Sequence, residues 1–129
     1  MNNKIVLDAS AFLALTQQEK GAEVIKPLLK FAVMSIVNIA EALTVLQRSN
    51  IELEDAMNLI NDIISTIIPF DLEQAVEVAR LNQFVKHKGL SLGDHACIAI
   101  GIKLSAPIYT ADKAWAELEL DKANIQLIR

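Results

Sequence analysis

Lys4-Ile5-Val6-Leu7-Asp8-Ala9-Ser10 is an apolar run that ends on an acid. Its length and β-branched content are those of a buried strand. A strand covered on both faces, as in a parallel sheet, is apolar without alternation. An ionised carboxylate at the end of such a strand is costly unless it has a partner, and in open α/β sheets ligands bind beyond the carboxyl ends of the strands. Asp8 is therefore either the N-cap of a following helix, a role that suits Asp as it suits the neighbouring Ser10, or part of a site. Taken alone the stretch favours the cap, and the rest of the chain has to decide.

Outward from this run, apolar strands alternate with helical stretches. Residues 9–15 read as a short helix. A second begins near Ala22, with Val24, Ile25, Leu28 and Leu29 inward and Pro27 kinking or shortening it. Ala32-Val33-Met34 is a strand that stops at Ser35, which caps a helix over 36–48 facing inward through Ile36, Ile39, Ala40, Leu43 and Leu46. Residues 52–65 form an amphipathic helix with acids in its first turn, where the helix dipole favours them. Residues 66–70 are a third strand that Pro69 cuts short. Asp71 caps a long helix to about Lys86, carrying Ala75, Val78, Ala79, Leu81 and Val85, and Lys86-His87-Lys88-Gly89 is a basic turn. Ser91 starts an apolar helix to Leu104, residues 106–110 are a fourth strand, 114–118 a short helix, and 125–128 a last edge strand. The alternation predicts one α/β domain over residues 1–129, a three-layer α/β/α sandwich with a mostly parallel sheet of four or five strands.

Composition narrows the function classes. With 129 residues and 53% hydrophobic content the chain can bury a real core. No apolar run has the length of a membrane span, and no basic segment followed by an apolar signal region opens the sequence, so the expectation is a cytoplasmic protein with no membrane association. The single cysteine, Cys97, excludes an internal disulfide framework and a thiolate zinc cluster. Twelve basic and 16 acidic residues give a formal charge of −4, which is unhelpful for a nucleic-acid binder unless a basic patch or a bound divalent cation offsets it.

Most of the acids sit among polar residues on outer faces and read as solvated. Four do not. Asp8 ends the first strand, Glu41 stands between Ala40 and Ala42 in an apolar helix, Asp94 lies in the first turn of another, and Asp112 follows the fourth strand. Singly, Asp8 and Asp112 pass as N-caps, Asp94 as a first-turn acid complementing the dipole, and Glu41 as a residue pointing to water. Together they are harder to dismiss. Parallel strands deliver their ends to one rim, where the following helices begin, so all four can meet in one cleft. Clustered carboxylates repel and persist only with protons or cations between them, so at least one is expected to have a raised pKa. Oxygen ligands without His or Cys select Mg²⁺ or Mn²⁺ over zinc, and such ions at a sheet rim suit phosphoryl transfer.

At these positions the sequence resembles a known family. Val6-Leu7-Asp8-Ala9-Ser10, Ser35-Ile36-Val37-Asn38-Ile39-Ala40-Glu41, Leu90-Ser91-Leu92-Gly93-Asp94 and Tyr109-Thr110-Ala111-Asp112-Lys113-Ala114-Trp115 look like the four blocks, in order, of PIN-domain ribonucleases, and more narrowly of the VapC toxins of VapBC toxin–antitoxin pairs. The resemblance implies metal-binding carboxylates at Asp8, Glu41, Asp94 and Asp112, with supporting polar roles for Ser10, Asn38 and Thr110. Asn38 and Glu41 are three apart and share a helix face. Trp115 is read as core packing. His95 departs from the pattern, and of an outer-shell group, a proton donor and a half-buried helix residue, the last is favoured.

The resemblance thus implies a Mg²⁺- or Mn²⁺-dependent endoribonuclease in which water attacks an RNA phosphodiester in line. Asp8, Glu41 and Asp94 hold the principal ion, Asp112 completes the site or helps hold a second, and no side-chain nucleophile is needed. Its implied partners are RNA, a small antitoxin protein and a second copy in a homodimer. Two rivals come from other classes: a PIN-like binding module that does not cleave, and a receiver-like phosphoacceptor domain, which also uses acids at a strand end.

Overall fold

A computed structural model describes residues 3–85 and 89–129; residues 86–88 of the expected basic turn lie outside the described residues. Five strands, β1 (Ile5–Leu7), β2 (Ala32–Ser35), β3 (Thr66–Ile68), β4 (Pro107–Thr110) and β5 (Asn124–Leu127), form one sheet in the order β3-β2-β1-β4-β5. All four pairings are parallel. Between them run α1 (Ala9–Thr16), α2 (Ala22–Ile25), α3 (Ile36–Arg48), α4 (Leu53–Ile63), α5 (Leu72–Val85) and α6 (Leu92–Leu104), with 3₁₀ turns at Lys26–Phe31 and Lys113–Glu117.

The architecture is the expected α/β/α sandwich, and the side chains of β1 and β2 show why their sequences do not alternate. Ile5, Leu7, Ala32 and Met34 face a layer built from α1, α3 and α4, packing with Phe12, Ile39, Leu46 and Ile60. Val6 and Val33, one residue out of phase, face the opposite layer with Leu81, Val85, Ile98, Ile100 and Trp115. Both faces are covered, so each of these six positions is apolar. Each fully buried side chain of this size contributes about 1.5–3 kcal/mol. Trp115 is buried among them, as core packing requires.

The strand order places the switch point of the sheet between β1 and β4, where winding reverses and a crevice opens at the carboxyl ends. Receiver domains use the flavodoxin-like order 2-1-3-4-5; the order here is different and removes that rival's structural basis.

Several details differ from the sequence reading. Pro27 shortens rather than kinks: α2 has four residues, and Pro27 enters the first turn of a 3₁₀ segment, where a missing N–H does no harm. Val24 is exposed, and the buried residues of that helix are Ala22 and Ile25. On α3, Ile36 is 43% exposed and Ala40 is also outside, while Asn38, Ile39, Ala42 and Leu46 turn in. The inward face is rotated because Asn38, polar but amply partnered, occupies a position that apolar periodicity assigns to its neighbours. On α5 the inward set takes Gln74 with Leu81 and Val85, and Ala79 is exposed. Among the described residues no helix is long and apolar enough to cross a membrane.

Candidate functional site

The site begins with Asp8, which is both things the sequence allowed. It caps α1, its Oδ1 accepting from the Ala11 amide at 2.8 Å, and it stands almost fully buried at the switch point. Two hydroxyls also reach it. Ser10 Oγ donates to Oδ1 at 2.7 Å and Thr110 Oγ1 donates to Oδ2 at 2.6 Å. Their direction is set from β4: the amides of Ala111 and Asp112 donate into the Ser10 and Thr110 hydroxyl oxygens, so each hydroxyl hydrogen is left for the carboxylate. Burial nevertheless outweighs these three donors and pushes the Asp8 pKa up to about 6 from an ordinary 3.8, with the Asp94 charge adding a smaller push. A raised acid was expected from repulsion; the larger cause is desolvation.

Glu41 does not simply point to water. It is half-buried, and its Oε1 accepts from Asn38 Nδ2 at 2.9 Å. The same amide group donates to the carbonyl of Gly93 at 3.1 Å, tying α3 to the first turn of α6. Asn38 Oδ1 is buried without a hydrogen-bond partner among the described residues.

Asp94 lies in that first turn and closes a capping box. Its backbone N–H donates to Ser91 Oγ, and its Oδ2 accepts from the Ser91 N–H at 3.0 Å. The Ser-x-x-Asp spacing carries this signal in sequence. His95 is buried rather than half-buried. Its Nδ1 lies 2.8 Å from the Ser91 carbonyl, and Nε2 is buried with no hydrogen-bond partner among the described residues.

The acids are linked in two pairs, Asp8 with Asp112 through Thr110, and Glu41 with the turn of Asp94 through Asn38. The Cys97 thiol, enclosed at the sheet-facing side of α6, is pushed well up in pKa by burial and, to a lesser degree, by the charges of Asp8, Asp94 and Glu41. A thiol so held is inert as a nucleophile. Asp112 is at the exposed edge of this group. It caps the 3₁₀ turn through the Ala114 amide, and its own N–H bonds the Thr110 hydroxyl that holds Asp8.

Whether these residues fit a divalent cation divides into chemistry and placement. The donors are oxygens suited to Mg²⁺ or Mn²⁺. Among the described residues the side-chain ion pairs fall on Glu19, Glu73 and Glu77 and on none of these four acids. As placed, no three His, Cys, Asp or Glu groups among the described residues stand close enough to hold such an ion.

A parallel α/β/α sandwich with Asp8 and Asp112 following the two strands that part at the switch point places the chain among α/β proteins with acids at the sheet rim. The PIN domain family model matches residues 5–120, and the chain belongs to that family. No curated protein sequence matches it. Among solved structures it is similar to a chain of a toxin–antitoxin complex from Klebsiella pneumoniae, with a TM-score of 0.77 and 15% identity over 98% of both chains. It is also similar to a chain of VapBC2 from Rickettsia felis bound to a promoter DNA fragment, with a TM-score of 0.73 and 14% identity over 95% of this chain and 97% of that one. VapBC-5 from Mycobacterium tuberculosis gives a TM-score of 0.60 and 21% identity over 98% of both chains. At such identities the likeness is one of fold.

Proposed function

We propose that this chain is a metal-dependent endoribonuclease, a PIN-like nuclease domain over residues 1–129 that hydrolyses RNA phosphodiester bonds as the cytoplasmic toxin of a type II toxin–antitoxin pair. The carrying observation is the hydrogen-bonded placement of the acids at the switch point: Thr110 joins Asp8 to the backbone of Asp112, and Asn38 joins Glu41 to the turn of α6 that carries Asp94. Membership of the PIN family supports nuclease chemistry, and the likeness to chains of VapBC complexes supports the toxin reading.

Asp8, Glu41 and Asp94 would hold the principal Mg²⁺ or Mn²⁺, with Asp112 completing the site or helping to hold a second ion. When bound, the ion would supply positive charge to the phosphate oxygens and acidify an attacking water. The protein's part is to present carboxylates. Ser10 and Thr110 hold Asp8 by both oxygens, Asn38 holds Glu41, and Ser91 holds one oxygen of Asp94 and leaves the other free. Ile36, Leu53 and Met57 remain exposed on α3 and α4, apolar surface of the kind that supports a protein partner, here the antitoxin or the second protomer of a homodimer.

Cleavage of total RNA by the purified protein, with Mg²⁺ and with chelator, tests the reading. Fragments with Mg²⁺ alone are expected; no cleavage in either condition, or equal cleavage in both, would remove it. One observation favours a second reading, a PIN-like module that binds without cutting: the acids are not assembled around a common point. Failure to bind Mn²⁺ would select it. A short open reading frame immediately upstream would support the toxin assignment.

A further inference from the structure

Gly93 precedes Asp94 on α6 and lies directly beneath Glu41 of α3. A Cβ built at Gly93 would stand 2.5 Å from Glu41 Cδ and Oε2 and closer still to Oε1. No real Cβ tolerates such contacts, so the carboxylate occupies the space that a side chain at 93 would fill. The glycine has no conformational reason of its own to be there. It is the second residue of a regular helix, where Gly is less favourable than Ala. Its neighbour in the arrangement is Asn38, 1% exposed, whose amide bridges Glu41 Oε1 and the Gly93 carbonyl. One bond therefore fixes the carboxylate, a second fixes the helix turn beneath it, and the missing side chain leaves the room.

We infer that Gly93 and Asn38 form a built seat for the Glu41 carboxylate, and that Gly93 is a positioning residue that sets where Glu41 delivers its oxygens in the acid cleft. The inference rests on the reading of Glu41 as a carboxylate that holds a divalent cation. It separates two properties that usually move together. The atoms a Cβ at 93 would meet are the far end of a flexible side chain, not backbone, so Glu41 can swing away while the fold is kept. Alanine also improves the helix. Gly93→Ala should therefore leave folding intact or improve it while displacing a functional group.

The test is Mn²⁺ titration by calorimetry, with thermal melts in chelator, on wild type, Gly93→Ala, Glu41→Gln, Glu41→Ala and the Gly93→Ala/Glu41→Ala pair. Gly93→Ala is expected to melt no lower than wild type and to bind Mn²⁺ about tenfold or more weakly, within the range for losing a group that orients a ligand. In the Glu41→Ala background, adding Gly93→Ala should change neither property further for the worse, because the new methyl meets no carboxylate; such non-additivity marks a direct coupling. A Gly93→Ala protein with wild-type Mn²⁺ affinity, beside a weakened Glu41→Gln, would overturn the seat alone. Equal further weakening by Gly93→Ala in the Glu41→Ala background would overturn it too, since the methyl would then act elsewhere. Wild-type affinity in Glu41→Gln would instead overturn the metal reading of Glu41, and the seat's purpose with it. Should Gly93→Ala melt lower than wild type, the premise that Glu41 yields before the backbone is wrong, and the proposal falls.

Discussion

Thr110 Oγ1 donates to Asp8 Oδ2 at 2.6 Å across the seam between β4 and β1, joining residues 102 positions apart. The bond is buried at both ends. It ties the acid at the end of the first strand to the last strand the chain adds beside it, and through the Asp112 amide it ties in the fourth acid as well.

Thr110→Val keeps the volume and removes the donor. A buried charged acceptor that loses one partner costs about 1–3 kcal/mol, and metal affinity should fall about 10- to 100-fold, as when outer-shell partners of ligands are removed. Urea denaturation at neutral pH and Mn²⁺ titration read the two effects. Unchanged values in both would mean that the bond does not hold Asp8 in solution.

Asp8 gives stability a pH dependence opposite to that of an ordinary surface carboxylate. Its folded pKa of about 6 exceeds the usual 3.8, so the folded chain binds more protons than the unfolded one. Its contribution is fully present below about pH 3.8 and is lost as pH rises through about 6. For a group this buried the loss is of order 3 kcal/mol. Without metal, the difference in stability between wild type and Asp8→Asn should therefore change with pH across this window. A pH-independent difference would show that Asp8 titrates normally.

For catalysis, Asp8→Asn and Asp94→Asn each remove a charged oxygen at nearly constant volume. Both should lower Mg²⁺-dependent RNA cleavage by more than about 100-fold, beyond what loss of an outer-shell partner costs, with circular dichroism unchanged. Wild-type cleavage by either variant would show the site to be misassigned.

Asp94 also has a structural effect that the repulsion argument alone would reverse. Were relief of repulsion dominant, Asp94→Asn would melt higher than wild type in chelator. The capping box and the helix dipole favour the carboxylate at this position, and the Asp94 charge is the smallest of the influences on Asp8. The variant should be less stable by about 0.5 kcal/mol. A clearly higher melting temperature would restore repulsion as the larger effect.

Induced expression in a bacterial host should arrest growth, and Glu41→Gln at equal soluble level should relieve the arrest. Equal growth of the two cultures would count against the toxin reading and leave a nuclease of narrower specificity.

The residue pattern alone carried the order of strands and helices, their parallel arrangement and the identity of the four unusual acids. These are local properties: apolar runs without polar alternation, caps three residues from their partners, and acids where solvent-facing periodicity does not put them. Apolar periodicity could not give the rotation of α3, because Asn38 earns its buried place from a carbonyl 55 residues away. Nor could it show that burial rather than like charge raises Asp8, since desolvation depends on what the other layers cover. The switch point between β1 and β4, the enclosure of His95, and the absence of a side chain beneath Glu41 were likewise decided by tertiary structure. Each depends on which surfaces meet across the sheet and between helices, and those distances are set by packing, not by spacing along the chain.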